Sequence, residues 1–308
     1  MEWIDAETAK ATLNRWGSGA RPFFFLSDFS GDRFLVSFVD ETPVDPTDFV
    51  WEPHPSTPEP YHRRFDIVQR NMLAGNSYLA NLTCRIPLTT SLSFKEVFFR
   101  SKARYRLLLH DSFVCFSPEI FVKMDHGQIR SFPMKGTISC DVPQAEATLM
   151  ADEKEAAEHA TIVDLIRNDL SQVASHVHVA RYRYVERLHT NCGDILQTSS
   201  EIVGDLPDDY RHHIGDILMA QLPAGSITGA PKPKTVEIIR EAEGYDRGFY
   251  TGVAGVCADG ELDSCVLIRF IDKEKGQLYF KAGGGITAKS DWKKEYQEII
   301  EKTYVPFR

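Results

Sequence analysis

The chain has 308 residues, 43% of them hydrophobic, and a formal net charge of −9, so it can bury a large core as one big domain or two smaller ones. With a pI near 5.6 and no basic run, it is a poor partner for nucleic acid or an anionic membrane surface, and an anionic substrate has to be held by local groups. Six cysteines without a Cys-x-x-Cys pair, no signal-peptide pattern at the amino terminus, and no apolar run near the ~20 residues that span a bilayer point to a reducing cytoplasm.

Residues 22–39 read as a hairpin, with apolar runs on either side of Ser30-Gly31-Asp32. Six prolines then make 43–60 a stiff connector. The pattern predicts a helix over 61–74 ending at Gly75, a strand over 77–87, and strands over 105–116, 119–124 and 128–133. Helices are expected at 144–150 and 152–173, strands near 177–187, and a helix near 192–203. The final third gives helices at 210–221 and 231–243, strands near 250–258, 262–272 and 277–282, a glycine-rich turn and a carboxy-terminal helix. Strands and helices come in blocks, which favours α+β with antiparallel sheets over a doubly wound fold.

Two segments carry chemistry. Glu295, Glu298 and Lys302 follow Gly283-Gly284-Gly285, and at ~100° per residue they fall within roughly 60° of one another on a helix. Glu155 and Glu158 lie on the stripe that Ile162, Leu165, Ile166 and Leu170 define. Both pairs are therefore expected to face the interior side of their helices. Four carboxylates from two helices would suit Mg²⁺, which prefers oxygen ligands and keeps several waters. Set alone, Glu298 and Lys302 are compatible with an ordinary i,i+4 pair on a solvated face. The glycines nearly spell a phosphate-binding loop over Gly283–Ser290, but Ala288 stands where the second glycine is needed. A smaller anion, such as a carboxylate, suits their backbone N–H groups better.

Seven motifs in order then carry a resemblance covering the chain after about residue 61. They are Ser117-Pro118-Glu119, Pro133-Met134-Lys135-Gly136-Thr137, Asp152 to His159, Pro223 to Lys232, Arg247 to Gly252, Ile268-Arg269, and the glycine segment with Glu295, Glu298 and Lys302. The chain resembles the chorismate-utilising enzymes: anthranilate synthase component I, aminodeoxychorismate synthase component I, isochorismate synthase and salicylate synthase. The resemblance implies a two-sheet α/β/β/α sandwich, with residues 1–60 part of the same fold and 61–308 forming the chorismate-binding catalytic domain. It also implies a Mg²⁺ site with Glu158 and Glu298 as direct ligands and Glu155 and Glu295 acting through water. Tyr250, Arg269, Lys302, Thr137, Gln197 and the amides of Gly283, Gly284 and Gly285 are implied to bind substrate, and Glu119 to be the general acid/base.

Lys135 divides this family, because its other branches carry Ala in the corresponding position whereas the matching aminodeoxychorismate enzymes carry Lys. A lysine amine can attack C2 of chorismate as the C4 hydroxyl leaves, after which ammonia resolves the covalent intermediate at C4. The amine must first be neutral, so its surroundings have to lower a pKa that is ordinarily about 10.4. No lysine occurs between Asn71 and Phe94, where isochorismate and salicylate synthases place the base for water attack. The expected activity is that of aminodeoxychorismate synthase component I, supplied with ammonia by a glutaminase subunit. Anthranilate synthase component I is the alternative, and a non-catalytic Mg²⁺ or anion-binding scaffold is a remote one. Gln197 stands where the family generally has His, and Phe270 where it has Thr; Gln197 can hydrogen-bond but cannot carry a proton. The short region before the first matched helix predicts no tryptophan feedback site.

Overall fold

The computed structural model describes residues 3–19, 22–37, 49–190 and 193–304. The chain divides into two compact units, each assembled from three segments. The first takes Met1–Val39, Glu119–Ser226 and Gly252–Val266, and the second Asp40–Pro118, Ile227–Thr251 and Leu267–Arg308. This division crosses the boundary expected at residue 60. The hairpin belongs to the first unit, and the end of the connector, which holds the strand Trp51–Pro53, belongs to the second.

The first unit is built on a ten-stranded antiparallel sheet. Its strands run Ile4–Asp5, Arg33–Ser37, Phe23–Ser27, Val253–Ala258, Glu261–Val266, Ile120–Asp125, Gln128–Ser131, Gly193–Asp205 and Met134–Ser139, with Ser175–Thr190 also paired to Gly193–Asp205. The hairpin expected over 22–39 is Phe23–Ser27 and Arg33–Ser37; its residues 38 and 39, like 43–48 of the connector, lie outside the described residues. The helix Ala6–Gly17 was not foreseen. Asp5 caps it by accepting from Thr8 N at 2.8 Å, and it lies against Ile214–Gln221 through Lys10–Asp216 (2.9 Å) and Asn14 Nδ2 donating to Asp216 (2.9 Å).

The second unit carries a seven-stranded antiparallel sheet in the order Gly229–Ala230, Leu79–Thr90, Gln277–Ile286, Phe270–Glu274, Phe113–Ser117 and Tyr105–Leu109, with Trp51–Pro53 on Leu79–Thr90. The helix expected over 61–74 is Pro58–Leu73. It starts with proline in its first turn, where no N–H is missed. Tyr61, Phe65, Val68 and Met72 form its buried stripe at steps of four, three and four. They meet Leu82, Ile86, Phe116, Ile271 and Phe280 in one core. Among the described residues no helix is long and apolar enough to cross a membrane.

Three expectations are corrected. The segment near 192–203 is no helix but the strand Gly193–Asp205, which pairs with Met134–Ser139, Gln128–Ser131 and Ser175–Thr190. Neighbours on both edges decide its form, and residue 192 lies outside the described residues. Gly283–Gly285 do not form a turn; they are the end of the strand Gln277–Ile286, in register with Thr83, Leu82 and Asn81. The strand expected over 262–272 is broken at 267–269, where Arg269 takes φ +55°. The helix Phe94–Arg100 and the strand Met134–Ser139 were also unread.

Gly215 sits where a Cβ would lie 2.3 Å from Lys10 O and 2.9 Å from Asn14 Oδ1. A Gly215→Ala substitution must force the two helices of the first unit apart, and overpacking of this kind costs about 1–3 kcal/mol. The expected result is a lowered unfolding midpoint in thermal or urea denaturation; an unchanged midpoint would mean that the helix pair contributes little.

Candidate active site

In the first unit the strand Met134–Ser139 carries the lysine. Its pairing with Gly193–Asp205 aligns Lys135 with Thr198 and Thr137 with Gln197, leaving Gly136 as an extra residue. Gly136 has φ +79°, the left-handed conformation that glycine adopts without penalty, so the sequence Lys-Gly-Thr encodes a β-bulge that re-aims Lys135. Thr198 Oγ1 donates to Lys135 O and pins the bulge. The amine then reaches Glu158 Oε2 at 3.1 Å.

Glu155 and Glu158 come from the helix Glu153–Leu170, whose start is capped by Asp152 accepting from Glu155 N at 2.9 Å. As expected, Glu158 is buried, and Glu155 is half-buried. A Cβ at Gly136 would lie 3.3 Å from Glu155 Oε2, so the glycine also gives that carboxylate its place beside the backbone. Glu119 is half-buried, and Ser226 Oγ donates to its Oε1. Gln197 is buried, whereas Thr137 is exposed.

Glu295 is buried, and a Cβ at Gly284 would lie 3.5 Å from its Oε2. Lys302 pairs with Glu298 and donates to Gly283 O at 3.3 Å. The expectation that both acidic pairs face inward fails at Glu298, whose side chain is 48% exposed. Thr83 N donates to Glu243 at 2.8 Å and Asn81 N to Thr228 O at 2.9 Å. These two amides therefore turn away from Gly283 and Gly285, and by antiparallel geometry the glycine amides point away from Leu79–Thr90 as well. Tyr250 is fully buried, and burial pushes its phenol well above the usual range. Arg269 keeps its left-handed backbone, with Phe116 N donating to its carbonyl at 3.0 Å and its guanidinium 5.4 Å from the Tyr304 ring centre. Such strain at a non-glycine residue is a mark of functional sites.

Two groups of importance were quoted in motifs but not assigned. Arg247 is buried and donates to Glu243 (2.6 and 2.9 Å), Ile227 O (3.0 Å), Asn81 O (2.6 Å) and Thr251 Oγ1 (3.2 Å). His159 is fully buried, with Nε2 2.6 Å from Ser200 Oγ. Burial first, then the positive charges of Arg183 and Lys135, push the ring down to about 4.

The residues present fit Mg²⁺ by type: all four candidates are carboxylates, and Oε1 of buried Glu158 accepts no hydrogen bond. Among the described residues no three His, Cys, Asp or Glu side chains gather into one cluster, which is compatible with an ion that uses one or two carboxylates beside substrate and water.

Over residues 35–308 the chain matches the family model described as chorismate binding enzyme. The chain belongs to that family. It is 46% identical to an uncharacterized PabA-like protein of Pasteurella multocida over 95% of this chain and 96% of that protein. It is 36% identical to aminodeoxychorismate synthase component 1 of Salmonella typhimurium over 79% of this chain, which spans 55% of that protein. The crystal structure of anthranilate synthase component I from Streptococcus pneumoniae superposes with a TM-score of 0.70 at 27% identity, covering 86% of this chain and 61% of that one. The fold class expected of a chorismate-utilising enzyme, α+β with antiparallel sheets, is thereby shown.

His159 generates a pH prediction for this family member. Its pKa in the fold, about 4, lies below the ~6.5 of an unfolded chain. Between these values the unfolded chain binds a proton that the fold rejects, so stability is complete above ~6.5, falls as pH drops toward 4, and levels off below. At about 1.4 kcal/mol per pKa unit the loss is about 3 kcal/mol. Denaturation midpoints measured across that range should flatten in a His159→Gln variant; an unchanged slope would assign the dependence to other groups.

Proposed function

We propose that this chorismate-utilising enzyme is aminodeoxychorismate synthase component I, making 4-amino-4-deoxychorismate for 4-aminobenzoate and folate synthesis in the cytoplasm. The observation that carries the reading is Lys135, re-aimed by the Gly136 bulge and held 3.1 Å from Glu158. In this chemistry the Lys135 amine forms a bond to C2 of chorismate while the C4–OH bond breaks and Glu119 gives the departing oxygen its proton. Ammonia from a glutamine amidotransferase subunit then bonds to C4, and the bond from C2 to Lys135 breaks.

Each residue has a task that its surroundings support. Ser226 Oγ donates to one oxygen of Glu119 and so orients the carboxyl group proposed to exchange a proton. Arg269 offers a planar fork for a carboxylate, Lys302 a compact charge, and the outward amides of Gly283 and Gly285 a neutral donor pair. Glu155 and Glu158 of the first unit, and Glu295 and Glu298 of the second, are carboxylates of the type that would hold Mg²⁺, which when bound supplies Lewis-acid pull on the departing hydroxyl and neutralises a substrate carboxylate. The Lys135 amine, 3.1 Å from Glu158 Oε2, must be neutral when it attacks.

Anthranilate synthase component I is the second reading, favoured by the likeness to the solved enzyme of that name. The two differ in product and in their need for Lys135. The chain incubated with chorismate, Mg²⁺ and ammonium is expected to form aminodeoxychorismate by mass spectrometry, and Lys135→Ala to lose at least ~100-fold in rate, the scale of removing one acting catalytic group. Anthranilate as product, or full amination by Lys135→Ala, would reverse the assignment.

A further inference from the structure

The strand Gln277–Ile286 alternates along its length. Phe280, Ala282 and Ile286 enter the core that also holds Tyr61 and Phe65, so Lys281, Gly283 and Gly285 turn to the opposite face of the sheet. Lys281 lies directly across from Phe270, the residue that follows the left-handed Arg269. It is 1% exposed, and an ammonium buried so deeply is tolerated only where it is paired and hydrogen-bonded.

Its partners come from the two segments that carry Arg269 and Tyr250. Lys281 Nζ lies 2.5 Å from Asp272 Oδ2 and donates to Arg247 O at 3.4 Å. The other oxygen of Asp272 is buried and has no hydrogen-bond partner among the described residues, so the ion pair with Lys281 is what fixes this carboxylate. Arg247 O also accepts Tyr250 N at 3.1 Å, and the Tyr250 and Phe270 ring centroids are 5.8 Å apart. Thr251 N donates to Leu267 O at 2.8 Å and joins the same two segments ahead of Arg269. Lys281 joins them again beyond it, at Asp272. The kink at Arg269 is thus spanned by a link on each side, and a left-handed non-glycine residue persists only where its surroundings over-determine it.

We propose that Lys281 is a positioning residue for the substrate: through Asp272 and the Arg247 carbonyl it holds the Arg269 guanidinium and the Tyr250 phenol in the arrangement that receives chorismate. The inference rests on the substrate-binding roles proposed for those two side chains. Lys281 acts through them and has no part in bond making or breaking.

Titration calorimetry of the full chain with chorismate and Mg²⁺, in the absence of ammonium, tests the role apart from amination. Lys281→Met and Asp272→Asn should each weaken chorismate binding about tenfold or more, the scale of a hydrogen bond between charged groups. In steady-state amination they should raise the KM for chorismate by the same factor, while the KM for ammonium stays within about twofold. In an Arg269→Met, Tyr250→Phe background Lys281→Met should add no further loss, since the side chains it acts through are gone. A lowered unfolding midpoint with chorismate binding unchanged would overturn the proposal, as would an undiminished loss in that double background. If Lys281→Met does not fold, Asp272→Asn, which is isosteric and keeps the ammonium, still decides. Arg269→Met and Tyr250→Phe taken singly separate the underlying reading: unchanged chorismate binding in both would remove their substrate-binding roles, whereas losses in both with none in Lys281→Met or Asp272→Asn would overturn the positioning role alone.

Discussion

The buried Glu243–Arg247 ion pair is the constraint on which the groups of the second unit proposed to bind substrate depend. Both residues are about 3% exposed, and two charges taken out of water are tolerated only when their remaining valences are met. Here they are met by the backbone. Arg247 reaches Asn81 O and Ile227 O, and Glu243 accepts from Thr83 N and Thr83 Oγ1. The pair therefore grips the strand Leu79–Thr90 at the two residues in register with Gly283 and Gly285, and so decides which way the glycine amides point. The same arginine accepts Tyr250 N on its own carbonyl at 3.1 Å and donates to Thr251, which fixes the turn that presents Tyr250. Removing one member of such a pair strands the other and costs about 3–5 kcal/mol.

The first unit reaches a comparable precision with backbone geometry in place of charge. One glycine in a left-handed conformation both re-aims Lys135 and makes room for Glu155. A glycine of the second unit, Gly283, makes room for Thr83 without leaving the extended conformation. These residues serve close approach, one with a bulge and one without, and that difference explains why glycine alone is an ambiguous signal in sequence.

The ambiguity marks the limit of what could be read beforehand. The acidic pairs were legible because helical spacing puts i and i+3 on one face whatever the tertiary context, and Glu155 and Glu158 do share a face. Gly283–Gly285 were read as a turn because glycine commonly makes turns; a Cβ at Gly283 would sit 2.7 Å from Thr83 Cγ2, a demand set by a strand two hundred residues away in the chain. Gly193–Asp205 has one ladder partner next to it in the chain, Thr190 pairing with Gly193, but its other edge is set by Met134–Ser139 and Gln128–Ser131, which lie far upstream and outside any local window. Glu243 escaped because a charged residue on a helix reads as solvated, and only the folded chain shows it buried against Arg247 and the Thr83 amide.

The pairing of lysines with carboxylates bears on how a single position can divide the family. In the proposed chemistry Glu158 has two claims on it: it is the partner of the Lys135 amine and a candidate ligand of the cation. Lys154 is the other cation within reach, at 3.6 Å from Oε1. A cation held by Glu158 would compete with the Lys135 amine for the same carboxylate. An alanine at position 135 would delete the proposed nucleophile while leaving the Glu158 carboxylate in the chain. In the proposed chemistry a change at that one residue would therefore redirect the reaction on chorismate without rebuilding the fold, because the bulge and the glycine strand are held by interactions that do not involve the lysine side chain.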